Sequence, residues 1–140
     1  MTPSYDSVSV GDELPALSIH VSRSDLVRYA GASGDFNPIH WNERFATSVG
    51  LPDVIAHGMF TMGQAVRVVT EWTGDPAAVI GYGVRFSKPV VVSDDTGAEI
   101  EVSGVVTAKD DDDRTVVVTL SARSGDDKVL TQARATVRLR

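Results

Sequence analysis

No cysteine occurs among the 140 residues, which excludes disulfide staples, thiol nucleophiles and cysteine-ligated metals. Basic residues are outnumbered as well: 13 Lys and Arg face 19 Asp and Glu, a formal net charge of -6. Such a chain is badly suited to nucleic acid or an anionic membrane as its main partner, although an acidic carrier protein needs only a local basic patch. No apolar run approaches the roughly 20 residues that cross a bilayer. The opening MTPSYDSVSVGDEL has neither a basic leader nor an apolar stretch, and the expectation is a cytoplasmic protein. No internal repeat, low-complexity tract or linker divides the chain. We therefore expect one domain over residues 1–140, long enough for a real core and too short for two.

What is present concentrates in YAGASGDFNPIHWN, Tyr29 to Asn42. Five residues separate Asp35 from His40, which in an unbroken helix would set them about 140° apart around the axis. Pro38 prevents that arrangement. It lacks a backbone donor and pushes Asn37 toward extended geometry, so a helix ending near Ser33-Gly34 hands over to a turn. Asn37 suits the turn because its amide can bond backbone groups that the broken helix leaves open. Asp35 and His40 can then converge on one proton, as a carboxylate and an imidazole that burial and mutual contact can tune near neutral pH. By itself the motif also reads as an ordinary turn with Asp35 or Asn37 as a cap.

A second segment favours the chemical reading. In AHGMFTMGQAVRVVTEWTG, Ala56 to Gly74, the residues Met59, Met62, Ala65, Val66, Val69 and Trp72 recur at spacings of three and four, the pattern of a long central helix with one buried face. It opens at His57-Gly58. A glycine there lets another molecule approach the backbone closely, and the free N–H groups of a first helical turn attract negative charge. An acid/base pair beside such a turn has the parts needed to ionise a carbon next to a carbonyl and stabilise the oxygen that becomes enolate-like.

The run SGDFNPIHWN, the helix start IAHGMFTMG and the strand VRFSKPV at Val84 to Val90 together resemble the MaoC-like (R)-specific hydratases and dehydratases of acyl thioesters. Within that family the likeness is nearest to catalytic subunits of actinobacterial (3R)-hydroxyacyl-ACP dehydratases. The resemblance covers nearly the whole chain and implies a hot-dog fold, Asp35 and His40 as the catalytic pair, and the Gly58 N–H in the oxyanion hole. It also implies a lyase of acyl metabolism that uses no cofactor or metal, with CoA or phosphopantetheine only as part of the substrate. Partnership with a second hot-dog is implied too, as a homodimer or as a heterodimer with a companion subunit. The chain departs from its relatives at two places. Val66 stands where many of them carry a serine that supports the aspartate, which leaves Asn37, backbone amides or Gln64 to do so. After Pro89, VVVSDDTG replaces the usual Gly-Asp turn.

Around these motifs the chain reads as α+β, an antiparallel sheet wrapped around the central helix. Tyr5 to Val10 and Leu17 to Val21 read as short strands or extended arms. Ser22 and Asp25 have capping-box spacing at the start of a helix, and Asn42 to Val49 form a short helix stopped by Gly50 and Pro52. Alternation then marks strands through Tyr82–Phe86, Ile100–Val102, Val116–Ala122 and Val129–Leu139, with turns at Ser93–Gly97, Asp110–Arg114 and Ser124–Asp127.

The expected reaction is reversible syn loss of water from a (3R)-3-hydroxyacyl thioester. His40 takes the C2 proton and Asp35 orients or protonates the leaving hydroxyl, or the two exchange these roles. Asn37 and Pro38 support the site, while Phe36, Trp41, His57 and Phe60 are candidates to line it. Arg85, Lys88 or Arg67 can meet a substrate phosphate, although each also suits a plain surface charge. A zinc site from Asp35, His40 and His57 has suitable ligand types, but its spacing matches no ligand pattern. The acidic run Asp110 to Asp113 reads as a solvated turn, and His20 as a polar edge residue. Alternatives from other classes are a hot-dog acyl-thioesterase, a non-catalytic partner subunit and an acyl-binding domain.

Overall fold

The structure is a computed structural model that describes residues 2–140. Five antiparallel strands form one sheet in the order β1-β3-β4-β5-β2, with β1 at Leu17–Val21, β2 at Val79–Phe86, β3 at Ala98–Asp110, β4 at Thr115–Ser124 and β5 at Asp127–Arg138. The last three strands are the meander that the alternating pattern predicts, joined by tight turns. The acidic run makes one of these turns, where Asp110 accepts the N–H groups of Asp112 and Asp113. In β3 the buried positions Ile100, Val102 and Val106 fall two or four apart, so one face of the strand enters the core. In β5 a bulge breaks the alternation. Gln132 has a left-handed φ of 48°, and Val129 and Leu130 are both buried although adjacent.

The helices lie between β1 and β2 in sequence: α1 at Arg23–Ser33, α2 at Glu43–Ser48, α3 at Gly58–Ala65 and α4 at Arg67–Thr73. Helix α1 opens with the expected capping box, in which the Ser22 hydroxyl and the Asp25 carboxylate each take the other's backbone N–H. It closes on Gly34, whose φ of 77° is the left-handed conformation that glycine adopts without strain. Arg23 then ties the start of α1 to the loops beneath, donating from Nε to the Val92 carbonyl at 2.8 Å and pairing with Asp53.

The single long helix expected from Ala56 to Gly74 is interrupted at Val66. Just before the break the Met62 carbonyl accepts two donors, the Tyr82 hydroxyl of the facing strand at 2.8 Å and the Val66 N–H at 3.3 Å. The chain tightens there, and Val69 N–H reaches back three residues to Val66 O at 2.9 Å. Burial pushes the Tyr82 hydroxyl up to about 12, so it stays a donor throughout the neutral range. The two helical segments still share one buried face, Ala65, Val68 and Val69, packed with Val102, Val118 and Ala135 of the sheet. The other departure is at the N-terminus, where Tyr5–Ser7 form a 3-10 turn instead of a strand.

Candidate active site

The turn that Pro38 imposes is built as its chemistry dictates. Pro38 opens a one-turn 3-10 helix, Pro38–His40, and the Asn37 side chain caps it by accepting the Ile39 N–H at 3.2 Å. Just before it, Asp35 sits in an Asx-type turn, where its Oδ1 accepts the Asn37 N–H at 3.1 Å and its own N–H donates to the Ser33 hydroxyl. His40 emerges from the end of the turn and is buried at 7% exposure, whereas Asp35 stays open to solvent. The chain thus sets a dry imidazole against a wet carboxylate.

His40 Nδ1 lies 2.6 Å from the Ile55 carbonyl, which only an N–H can approach so closely. The proton therefore sits on Nδ1, and Nε2 presents its lone pair toward Asp35 Oδ2 at 4.0 Å. That gap is too wide for a direct hydrogen bond and lets both atoms address one reacting group between them. Burial depresses the His40 pKa, with the neighbouring His57 adding to the effect; the Ile55 bond and the Asp35 charge oppose it. The net direction keeps His40 neutral and basic at pH 7.

Gly58 begins α3 close by. Its N–H is one of the first-turn donors that a helix leaves without an internal acceptor, and among the described residues no other group takes it. Phe86, at the end of β2, lies over this glycine: a Cβ placed there would meet the ring at 3.1–3.2 Å. The ring is 55% exposed and divides the cleft in two. One cavity, of about 320 Å³, is lined by His40, Gly58, Phe86 and apolar residues including Ile55, Val90 and Val129. The other, of about 470 Å³, is lined by Asp35, Tyr29, Ser33, His57, Gly58 and Phe86. Gly58 and Phe86 line both cavities, with His40 in the first and Asp35 in the second.

The remaining residues singled out in the sequence fall on both sides of this cleft. His57 is inside it, buried at 2% and stacked on His40 with ring centroids 3.7 Å apart. Phe60 packs edge-on against Tyr29 behind the site. Phe36 and Trp41 lie outside it. The Trp41 indole donates to the Phe36 carbonyl at 3.0 Å, and both rings line a separate apolar groove with Val27 and Ala30. Lys88 lines the His40-side cavity. Arg67 is taken up by Glu71 and Gln64, which also removes Gln64 as a support for Asp35. His20 pairs with Glu99 on the surface. Phe86, Tyr29, Ser33 and Thr61 also line the cleft; each lies within a motif read from the sequence, but none is singled out there as a cleft residue.

Metal ligation is a separate question, because one nitrogen each from His40 and His57 and an Asp35 oxygen lie within 4.8 Å of one another. The rings are stacked with an interplanar angle of 21°. A metal binds in the plane of an imidazole at about 2.0–2.1 Å, and no point that near to both rings lies in both planes. As arranged, the cluster does not fit a zinc ion.

A central helix packed on an antiparallel sheet, with a proline-turn Asp/His pair at the helix start, is the arrangement of a hot-dog protein. The sequence pattern of the MaoC like domain matches residues 7–125, and the chain belongs to that family. Among characterised relatives, 3-hydroxyacyl-thioester dehydratase X of Mycobacterium tuberculosis is 40% identical over 78 residues, 56% of this chain and 27% of that protein. An (R)-specific enoyl-CoA hydratase of Rhodospirillum rubrum is 35% identical over 95 residues, 67% of this chain and 66% of that one. The chain thus spans only part of the length of these relatives. Among solved structures, a MaoC-like dehydratase superposes with a TM-score of 0.97 at 49% identity, covering 99% of this chain and 43% of that one. The ChsH1–ChsH2 complex of Mycobacterium tuberculosis superposes at 0.81 with 25% identity, covering 95% and 99%. No helix among the described residues is long and apolar enough to cross a membrane.

Proposed function

We propose that the protein catalyses the reversible syn dehydration of (3R)-3-hydroxyacyl thioesters to trans-2-enoyl thioesters. The observation that carries this reading is the spacing of His40 Nε2 and Asp35 Oδ2, 4.0 Å apart, in cavities that both include Gly58, the first residue of α3. In the dehydration direction the thioester oxygen accepts the Gly58 N–H, which acidifies C2 and stabilises the oxyanion that develops. His40 Nε2, neutral and unpaired, takes the C2 proton. Asp35, held by the Asn37 N–H, orients the C3 hydroxyl, and the proton taken from C2 passes from His40 Nε2 to that hydroxyl, which leaves as water as the C3–O bond breaks and His40 returns to its neutral form. Both groups act from the same face, as a syn elimination requires. In hydration the pair positions the water that adds. The apolar wall of Ile55, Val90 and Val129 favours an acyl or pantetheine chain over a charged one, and CoA or the carrier's phosphopantetheine enters only as part of the substrate. The names of the relatives, hydratases and dehydratases of such thioesters, support the same reaction.

The reading includes a second hot-dog subunit, either a copy of this chain or a companion. Strand β2 is a sheet edge with Ile80 and Phe86 exposed along it, and open edges of this kind invite pairing. Sedimentation of the purified protein distinguishes monomer, homodimer and a requirement for a companion chain. For the chemistry, Asp35→Asn and His40→Ala are each expected to abolish hydration of a crotonyl thioester while the circular dichroism spectrum and melting temperature hold. Near-normal turnover in either variant refutes the reading, and release of free thiol in place of hydration makes the protein a thioesterase.

A further inference from the structure

Asp35 and His40 are presented by one short turn, and only one of them is buried, so something must hold the exposed member in register with the other. Val66, at the break of the central helix, is a partly buried apolar residue and offers Asp35 no side-chain hydrogen bond. His57 stands in the required place. Its Nε2 lies 3.1 Å from the Asp35 carbonyl oxygen, 22 residues away in sequence, which fixes the proton on Nε2. Its ring face lies on His40 at 3.7 Å, and the edge of Tyr29 closes the other side at 4.8 Å. Its Nδ1 is buried with no hydrogen-bond partner. A residue selected for packing alone would be phenylalanine, which fills the same space without an orphaned nitrogen. The polar ring makes one hydrogen bond, and that bond goes to the backbone of the aspartate.

We infer that His57 is the positioning residue of the site: it holds the Asp35 main chain through Nε2–H and backs the His40 ring, so that carboxylate and imidazole keep their spacing across the cleft. It touches no reacting atom. The groups that face it are the Asp35 carbonyl, the His40 ring and the Tyr29 ring, and none of them takes a proton from it during turnover. This inference rests on the dehydratase reading, and the two fail separately: a wild-type protein without hydratase activity overturns that reading, whereas the variants below test His57 in an active enzyme.

His57→Phe keeps the stack and the contact with Tyr29 but removes the bond to Asp35. His57→Gln loses the ring but keeps an amide N–H able to reach the same carbonyl. Hydration of a crotonyl thioester by His57→Phe is expected to show kcat lower by about 10-fold to 100-fold with KM changed less than about twofold, the signature of a misplaced reacting group. His57→Gln is expected to recover kcat to within about fivefold of wild type, because the tether to Asp35 is restored. Melting temperatures taken alongside exclude a general loss of fold. Wild-type kcat in His57→Phe overturns the inference. So does a His57→Gln protein that is folded but as slow as His57→Phe. If His57→Phe does not fold, His57→Gln alone decides: retained kcat supports the tether, and collapsed kcat in a folded protein overturns it.

Discussion

Replacing Gly58 by proline removes one N–H from the cleft and puts the ring Cδ in the place of its hydrogen. Gly58 is the first residue of α3, where proline is favoured because its missing donor has no helical acceptor in any case. The preceding residue must be extended, and His57 already is, with φ -59° and ψ 136°. The new Cβ meets the Phe86 ring at 3.1–3.2 Å, a contact that the half-exposed ring relieves by turning at a cost of order 0.5–1.5 kcal/mol. Gly58→Ala brings the same Cβ and the same contact but keeps the N–H, so the ratio of the two variants reads the loss of the donor together with the Cδ that replaces its hydrogen. Loss of one oxyanion donor costs about 2.7–4 kcal/mol of transition-state stabilisation, or about 10²-fold to 10³-fold in kcat. Loss of absorbance by an enoyl thioester as water adds measures that ratio directly. Melting temperatures of the two variants should agree within a few degrees. If proline and alanine variants turn over within about threefold of each other, the Gly58 N–H is not the oxyanion donor and the arrangement proposed for the thioester is wrong.

Two further outcomes follow from the same geometry. Because His40 is depressed below its ordinary value of 6.5 by burial, kcat/KM for hydration should stay flat through neutral pH and fall only as pH drops below 6.5; an acidic limb centred at or above 6.5 contradicts this. The unfolded chain binds the His40 proton more readily than the native state does. Stability is therefore full above 6.5 and declines as pH falls through the depressed pKa, a slope that His40→Ala should flatten in thermal melts. Arg23→Gln should lower stability by about 1.5–3 kcal/mol in urea titration, since it leaves the Val92 carbonyl and the Asp53 carboxylate without their charged donor; a change below about 0.5 kcal/mol would show that solvent replaces the guanidinium.

Much of the local construction was legible in the sequence because its causes act over a few residues. Ser22 and Asp25 form the capping box their spacing predicts, Gly34 ends α1 in the left-handed conformation, and Asn37 caps the turn that Pro38 begins. The alternating strands and their turns follow the same logic, since a pleated strand with one buried face leaves a period of two in the chain. The cleft was legible in part. Asp35, His40 and Gly58 could be named from motifs, but Phe36 and Trp41, close to the pair in sequence, turn into a different groove.

The sequence by itself determined the elements, their caps and the residue types available for proton transfer, because hydrogen bonds within a turn and hydrophobic periodicity are local properties. Tertiary structure alone decided the rest. The Tyr82 hydroxyl bonds the Met62 carbonyl one turn before the helix break at Val66, Phe86 lies over Gly58, and His57 reaches the Asp35 backbone. Each of these contacts joins residues twenty or more apart in the chain, and no local pattern encodes them. They exist because the helix, the proline turn and the edge strand must all pack on one sheet, and the fit of that shared core sets which side chains meet.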